Sequence, residues 1–328
     1  MTVQARDPRS TMNTPIASII LPTLNGSSDL KRLLPRLAEQ QLEGGFEVLA
    51  VDSSSDDDSV ALLRSAGAEV DVIDRRDFSH GGTRTRRAAD ARGDFLVFIS
   101  QDAVPADERF LEELLRPFED PSIAGSFARV LPHAEDDLLT ARTVLDLPEA
   151  GEEVRVQRLE GGEGLWELPA IERVDRIRFN NVASAIRRSV FDEIPFPAID
   201  FGEDVAWAAR ALTQGHGIAF APKAVAYHAH RYSFTQAFER YRRDALFHRL
   251  THGWRMRPTL LSTLRGTAFE CLADLRYARR LGLLRSLPAL VRSPLLRGAQ
   301  ICGQYAGSSA LGAPESRALV PRSVSGGR

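Results

Sequence analysis

Apolar and polar positions along the first hundred residues follow two alternating rhythms. Short, β-branched runs come at Ala17–Pro22 (A-S-I-I-L-P), Phe46–Val51, Glu69–Ile73 and Phe95–Ile99 (F-L-V-F-I), each followed by polar or turn residues. Runs of this length predict buried strands. Between them the apolar residues fall at helical spacing. Leu30, Leu33, Leu34 and Leu37 predict a helix over 28–41 with Ser28 or Asp29 as N-cap. Helices over 58–66 and 82–91 follow, closed by Gly67 and Gly93, and another spans 106–116. Strands alternating with helices predict βαβ units around a parallel sheet. Ligands of such sheets bind beyond the carboxyl ends of the strands. Thr23 and Asn25, Asp52, Asp74 to His80, and Asp102 follow the four strands in turn, so they should share that edge.

The rhythm fades over about 133–178, which is acidic and glycine-rich and reads as loops with one or two helices, a candidate flap. It returns with Asn181–Arg187, a helix over Asp204–Thr213 and a strand over Gly217–Tyr227 that ends at His228. No internal repeat is evident. From 231 to 300 there are fourteen arginines and no lysine against four acids, a net charge of +10 on a chain whose total is −2. Leu, Phe, Tyr and Trp are interleaved, which predicts amphipathic helices. The chain from 306 is rich in Ser, Gly and Pro and is expected to be flexible, as are the polar residues 1–15.

The 328 residues are 43% hydrophobic and 26% charged, an ordinary globular composition. The near-neutral total gives no whole-protein signal for nucleic acid. Residues 1–15 hold no apolar core of a signal peptide, and no run of about 18 apolar residues exists to span a bilayer. Cys271 and Cys302 have no metal-ligand spacing, so neither a disulfide framework nor a zinc site is expected. A cytoplasmic protein follows as the expectation, with the basic region a candidate for the inner face of the membrane or for an oligomer contact.

Several residues carry candidate chemistry, each with a plainer alternative. Asp52 suits hydrogen bonding to a base or ribose, or merely caps a Ser/Asp-rich turn. Asp102 ends an apolar strand where a divalent cation needs a carboxylate, or caps the next helix. Phe78-Ser79-His80-Gly81-Gly82-Thr83-Arg84 opens a helix whose amides can meet phosphate, with Arg84 adding charge, or is an ordinary turn. Gly202-Glu203-Asp204 puts two acids at a helix N-terminus, which the helix dipole alone would favour. His228 and His230 share one face of an extended strand, as metal or phosphate ligands or as strand-end histidines.

In order and spacing these signals are specific. Ile20-Leu21-Pro22-Thr23-Leu24-Asn25-Gly26 and Val51-Asp52-Ser53-Ser54-Ser55-Asp56 resemble the opening of family 2 glycosyltransferases of the GT-A fold. Phe78 to Arg84, Ser100-Gln101-Asp102-Ala103-Val104-Pro105, Asn180-Asn181-Val182-Ala183-Ser184-Ala185, Gly202-Glu203-Asp204, Ala224 to His228, and Tyr241, Asp244 and His248 resemble the bacterial rhamnosyltransferase branch, which uses dTDP-rhamnose. The resemblance covers about 16–250. It implies an α/β GT-A domain with a Rossmann-like mixed sheet over 16–230, a basic helical region over 231–305 and a tail over 306–328.

The resemblance also implies roles. Pro22, Thr23, Asn25, Asp52, Gly82, Arg84, Ser100 and Gln101 would contact the nucleotide-sugar. Asp102 would hold Mg²⁺ or Mn²⁺ with His228, although the family's D-x-D motif reads S-Q-D here and Ser100 replaces its first acid. Asp204 would be the general base and Glu203 its positioning partner. The implied reaction is inverting transfer of a sugar, L-rhamnose foremost, to a hydroxyl of a glycan or glycolipid. Two rivals stand beside it. A nucleotidyltransferase would want a G-x-G-rich basic loop after the first strand, which Pro22 to Gly26 does not provide. A non-catalytic nucleotide- or glycan-binding protein would need no base. A Rossmann dehydrogenase is disfavoured, because no G-x-G-x-x-G follows the first strand.

Overall fold

The computed structural model describes residues 14–161, 164–199 and 201–310. Nine strands run through it: β1 (Ala17–Thr23), β2 (Phe46–Asp52), β3 (Glu69–Val72), β4 (Phe95–Ile99), β5 (Val104–Pro105), β6 (Ile123–Leu131), β7 (Arg155–Gln157), β8 (Ala183–Arg187) and β9 (Gly217–Tyr227). The helices are α1 (Ser27–Ala38), α2 (Ser59–Ser65), α3 (His80–Ala88), α4 (Phe110–Leu115), α5 (Leu138–Leu145), α6 (Ala170–Arg176), α7 (Arg188–Glu193), α8 (Glu203–Thr213), α9 (Phe234–His252), α10 (Leu260–Leu281) and α11 (Leu283–Ser309). They form two compact units. One comprises the chain to Leu131, Leu147–Glu167 and Arg176–His228; the other Pro132–Asp146, Leu168–Asp175 and the chain from Ala229.

The first unit is a single mixed sheet in the order β3-β2-β1-β4-β8-β6-β9-β5, with β7 also on β9. β3, β2, β1 and β4 are parallel, as their helical crossovers require. β8 runs antiparallel between β4 and β6 and turns the sheet from parallel to mixed. Alternate residues face opposite layers. Ile19, Leu21, Val97 and Ile99 pack on Leu30, Leu33, Phe110 and Leu114 of α1 and α4. Phe98 turns to the other face and stacks with Phe191 and Phe196. Trp207 of α8 fills that layer, its indole donating to Ile194 O at 2.9 Å. Gly125 on β6 makes the room, since a Cβ there would stand 2.7 Å from the Trp207 ring.

β6, the longest strand the sequence pattern did not predict, is almost wholly buried, so no polar alternation marks it. The stretch 133–178 is not one flap. Its α5 belongs to the helical unit, whereas β7 pairs with β9 in the sheet. The segment expected to be flexible from 306 begins as the last turn of α11, which runs to Ser309; 311–328 and 1–13 lie outside the described residues.

In the second unit α11 lies along α9. Gly303 and Gly307 allow the approach, as a Cβ on either would come within 2.3 Å of a backbone oxygen of Phe238 or Arg242. The polar centre of this unit is Asp274 of α10, fully buried between Arg142 and Arg297. Arg297 grips it in a fork, Nε to Oδ2 at 2.9 Å and Nη2 to Oδ1 at 2.8 Å, while Ser293 also donates to Oδ2. Arg142 also pairs with Glu270. Burial alone would raise the Asp274 pKa, but the donors from Arg297 and Ser293 outweigh it and hold the carboxyl below its ordinary range.

Removing Asp274 leaves two buried cations without their shared anion. Asp274→Ala should cost about 3–5 kcal/mol in urea unfolding near neutral pH. A carboxyl with a depressed pKa stabilises above its ordinary range and loses that contribution as pH falls through its native value. The gap between parent and variant should therefore narrow on acidification. A gap that is constant from neutral to acid pH would contradict the assignment.

Candidate active site

The sheet register draws the expected edge together. β1 and β2 end level, with Thr23 beside Asp52. Thr23 Oγ1 donates to Asp52 Oδ2 at 3.0 Å, and Asp52 also accepts from Ser55 N at 2.7 Å and Ser55 Oγ at 2.6 Å. Its carboxylate is fully buried and its acceptors are spent on the loop after β2. Asn25 adopts a left-handed φ of 46°. Its Oδ1 accepts from Asp56 N at 2.9 Å and its own amide donates to Ser55 Oγ at 2.8 Å. Asp52 and Asn25, expected as nucleotide contacts, also fasten the loops after β1 and β2 to each other.

A cavity of about 290 Å³ opens at this edge. Its walls are Pro22, Thr23 and Leu24 after β1, then Ser53, then Arg75, Phe78, His80 and Arg84 of the third crossover, then Ser100, Gln101 and Asp102 after β4. Pro22, Thr23, Arg84, Ser100, Gln101 and Asp102 were all expected from the sequence. Arg75, Phe78 and His80 lie in the stretch Asp74 to His80 expected at this edge, and Ser53 in the motif after the second strand, but none of the four was given a role. Gln101 also fastens the loop after β1, accepting from Leu24 N at 2.9 Å and donating to Asp29 Oδ2 at 3.3 Å.

At the start of α3, expected to meet phosphate, one backbone amide is already engaged. Ser79 is the N-cap, and Ser79 Oγ accepts from Gly82 N at 3.2 Å. Gly81 is needed for packing, because a Cβ would stand 2.3 Å from Pro197 O. Arg84, one turn on, is buried; it donates to His80 O at 3.1 Å and pairs with Glu203 Oε1 at 3.2 Å. Arg84 Nε and Ser53 Oγ are buried in the cavity wall with no hydrogen-bond partner among the described residues. Each unmet donor of this kind costs about 1–3 kcal/mol. A ligand rich in acceptor oxygens would satisfy both.

Gly202, in the left-handed region at φ 80°, is the N-cap of α8 and sets Glu203 and Asp204 in its first turn. Glu203 is buried and accepts from Arg84 and from Asn181 Nδ2, each at 3.2 Å. Asp204 is half-buried. It accepts from Asn181 N at 3.2 Å and Val205 N at 2.8 Å. Burial first, and then the charge of Glu203, push its carboxyl up to about 7 against those donors and Arg84. Asn181 is the hub. Its Oδ1 accepts from Ser184 Oγ at 2.9 Å and its carbonyl from Ser100 Oγ at 3.3 Å, tying the cavity floor to the acid pair. The sequence flagged Asn181 only as part of a motif; its sign was two asparagines before a buried strand.

Asp102 and His228 meet because β5, two residues after Asp102, pairs antiparallel with the end of β9, Val104 opposite Tyr227. Asp102 Oδ2 lies 3.4 Å from His228 Nε2. Ser100, in the place of a second acid, is turned onto Asn181 instead.

A family model described as glycosyl transferase family 2 matches residues 18–164. The O-antigen chain rhamnosyltransferase WbaN of Salmonella anatum is 30% identical over 239 residues, 71% of this chain and 72% of that protein. This chain belongs to glycosyltransferase family 2. The O-antigen chain rhamnosyltransferase RfbN of Salmonella typhimurium is likewise 30% identical, over 70% of this chain and 72% of its own. Among solved structures, the mannosyltransferase PcManGT of Pyrobaculum calidifontis, in complex with GDP-Man and Mn²⁺, aligns with a TM-score of 0.55 at 18% identity, covering 94% of this chain and 87% of that one. Residues 1–349 of TarS from S. aureus align at 0.50 and 16% identity, over 89% and 90%. That likeness shows the GT-A fold.

In this family 2 glycosyltransferase Asn181→Ala would leave one acceptor of Glu203 and the Ser184 hydroxyl unmet. It should destabilise by about 1–3 kcal/mol. Asn181→Asp adds a third carboxylate beside the pair and should unfold at lower urea than the alanine variant at pH 8. An aspartate variant as stable as the parent at that pH would mean that the side chain does not separate the charges.

Proposed function

We propose that this glycosyltransferase moves L-rhamnose from dTDP-rhamnose onto a hydroxyl of a glycan or lipid-linked glycan in cell-surface polysaccharide synthesis, with inversion. The observation that carries the chemistry is Asp204. It is half-buried and its proton affinity is raised to about 7, while its neighbour Glu203 is held by Arg84. A base at that value works near neutral pH. The acceptor O–H gives its proton to the Asp204 carboxylate as its oxygen bonds to the anomeric carbon. The bond from that carbon to the diphosphate oxygen breaks, and its electron pair leaves on the nucleoside diphosphate. One displacement inverts the centre and needs no protein nucleophile.

The leaving group carries the negative charge away, and the cavity wall meets it with Arg75, Ser53 Oγ and the unspent Nε of Arg84. Phe78, Pro22 and Leu24 give the same wall apolar surface for a base or deoxysugar. Asp102 and His228 offer one oxygen and one nitrogen, a mixed pair that suits Mn²⁺ better than Mg²⁺. When bound, the cation supplies positive charge to the diphosphate. With Ser100 where a second acid would stand, the arginines carry a larger share of that work. The choice of rhamnose rests on the Salmonella relatives, which are named as rhamnosyltransferases.

Three outcomes test this reading. Asp204→Asn should lower kcat by about 10²–10⁴-fold and leave donor affinity nearly unchanged. In the parent, kcat/KM should rise with pH through about 7, as Asp204 loses its proton, and the variant should lack that limb. A collapse of donor affinity would make Asp204 a binding residue instead.

The metal and the donor are checked by thermal shift. Donor at about 100 times its Kd should stabilise by about 2.7 kcal/mol, with dTDP-rhamnose ahead of UDP- and GDP-sugars. Mn²⁺ should increase the shift and Asp102→Asn should remove that increase. An unchanged response in EDTA would overturn the metal assignment, and equal shifts with every nucleotide-sugar would overturn the donor.

A further inference from the structure

The second unit presents a surface for which the transfer reaction has no use. On α11 Leu284, Leu287, Val291 and Leu295 recur at intervals of three and four residues, one helical stripe. All four are exposed, Leu284 at 90% and Val291 at 70%. Arg285 flanks the stripe, one step round the helix, whereas Arg292 is paired with Asp137 at 3.5 Å. Where α10 hands over to α11 at Gly282, Leu281 and Leu283 are exposed between Arg279 and Arg280 on one side and Arg285 on the other. α10 continues the pattern with exposed Leu261, Leu264 and Leu272 alongside Arg265 and Arg276.

The placement of the acids decides what such a surface can meet. From Leu260 to Ser309 there are two, Glu270 and Asp274. Both are spent inward on Arg142 and Arg297. The exposed residues of α10 and α11 are thus arginines and uncharged, mostly apolar side chains, with no carboxylate among them. An isologous contact along the stripe would bring the arginines of one copy toward those of the other. An anionic bilayer surface offers both complements, phosphate groups for the guanidinium groups and acyl chains for the leucines. No helix among the described residues is long and apolar enough to cross a membrane, so the surface would lie on the bilayer.

We propose that the α10–α11 corner and the α11 stripe dock this protein on an anionic lipid surface. The stripe beds its leucines at the level of the upper acyl chains, and Arg279, Arg280 and Arg285 sit at the phosphates. This inference is independent of the donor and of the base.

Vesicle flotation of the full chain tests it. With vesicles of phosphatidylglycerol and phosphatidylcholine at low salt most of the protein should float, with phosphatidylcholine alone almost none, and high salt should release it. A combined Leu284→Ser, Leu287→Ser, Val291→Ser variant should lose flotation while keeping the parent's melting temperature, since these side chains are exposed. A combined Arg279→Glu, Arg280→Glu, Arg285→Glu variant should bind at least about tenfold more weakly. Absence of flotation with anionic vesicles at low salt would overturn the proposal, as would equal flotation with neutral ones. So would a parent that sediments as a dimer and a serine variant that sediments as a monomer, because the stripe would then belong to a second copy. A nucleotide-sugar thermal shift run on the same samples reports the active site separately.

Discussion

One buried cation committed to the first of two adjacent acids governs the candidate active site. Arg84 gives Nη1 to Glu203, and Asn181 supplies neutral donors to both carboxyls. Were the arginine placed evenly between the acids, it would hold both ionised and both weakly basic. Committed to Glu203, it leaves Asp204 as the surplus charge in a poorly solvated place, and burial raises its proton affinity. The arrangement carries a thermodynamic cost. A carboxyl whose native pKa is raised binds a proton that the unfolded chain has already released, so the native state loses stability as pH rises from the ordinary carboxylate range to about 7. A base poised near neutrality, the role proposed for Asp204, would carry that loss.

The rest of the strand-end edge is built to hold still. Asp52, Asn25, Ser79 and Gln101 spend their hydrogen-bonding groups on backbone amides and neighbouring side chains of the loops they anchor. Polar residues at such an edge thus divide into those that fix loops and those that face the cavity with unmet donors. Ser53 Oγ and Arg84 Nε are of the second kind. A site whose loops are fixed before the ligand arrives loses less conformational freedom on binding.

The helical unit handles charge in the opposite way. Asp274 lies between two arginines with its acceptors filled and its pKa held down, so it is a structural anion with no proton chemistry at neutral pH. With Asp274 and Glu270 both engaged by buried arginines, no carboxylate is left among the exposed residues of α10 and α11.

The sequence alone determined the βα rhythm, the four parallel strands and the residues that follow them. Periodicity is local, and strand ends in such sheets gather on one edge whatever the packing. It also determined the family, through motifs whose order and spacing few folds share, and the excess of arginine after 231. Contacts between residues far apart in the chain were left to the tertiary structure. It showed β6, whose two faces are buried so that no alternation betrays it. It joined α5 to the helical unit across more than a hundred residues, through Arg142 and Asp274. It showed that Asp52, Asn25 and Gly82 also fasten loops and a helix start, and it made Asn181 the hub of the acid pair. Each of these outcomes depends on which hydrogen-bonding groups are still unspent after folding. That is a property of three-dimensional neighbours, and residue type and spacing do not carry it.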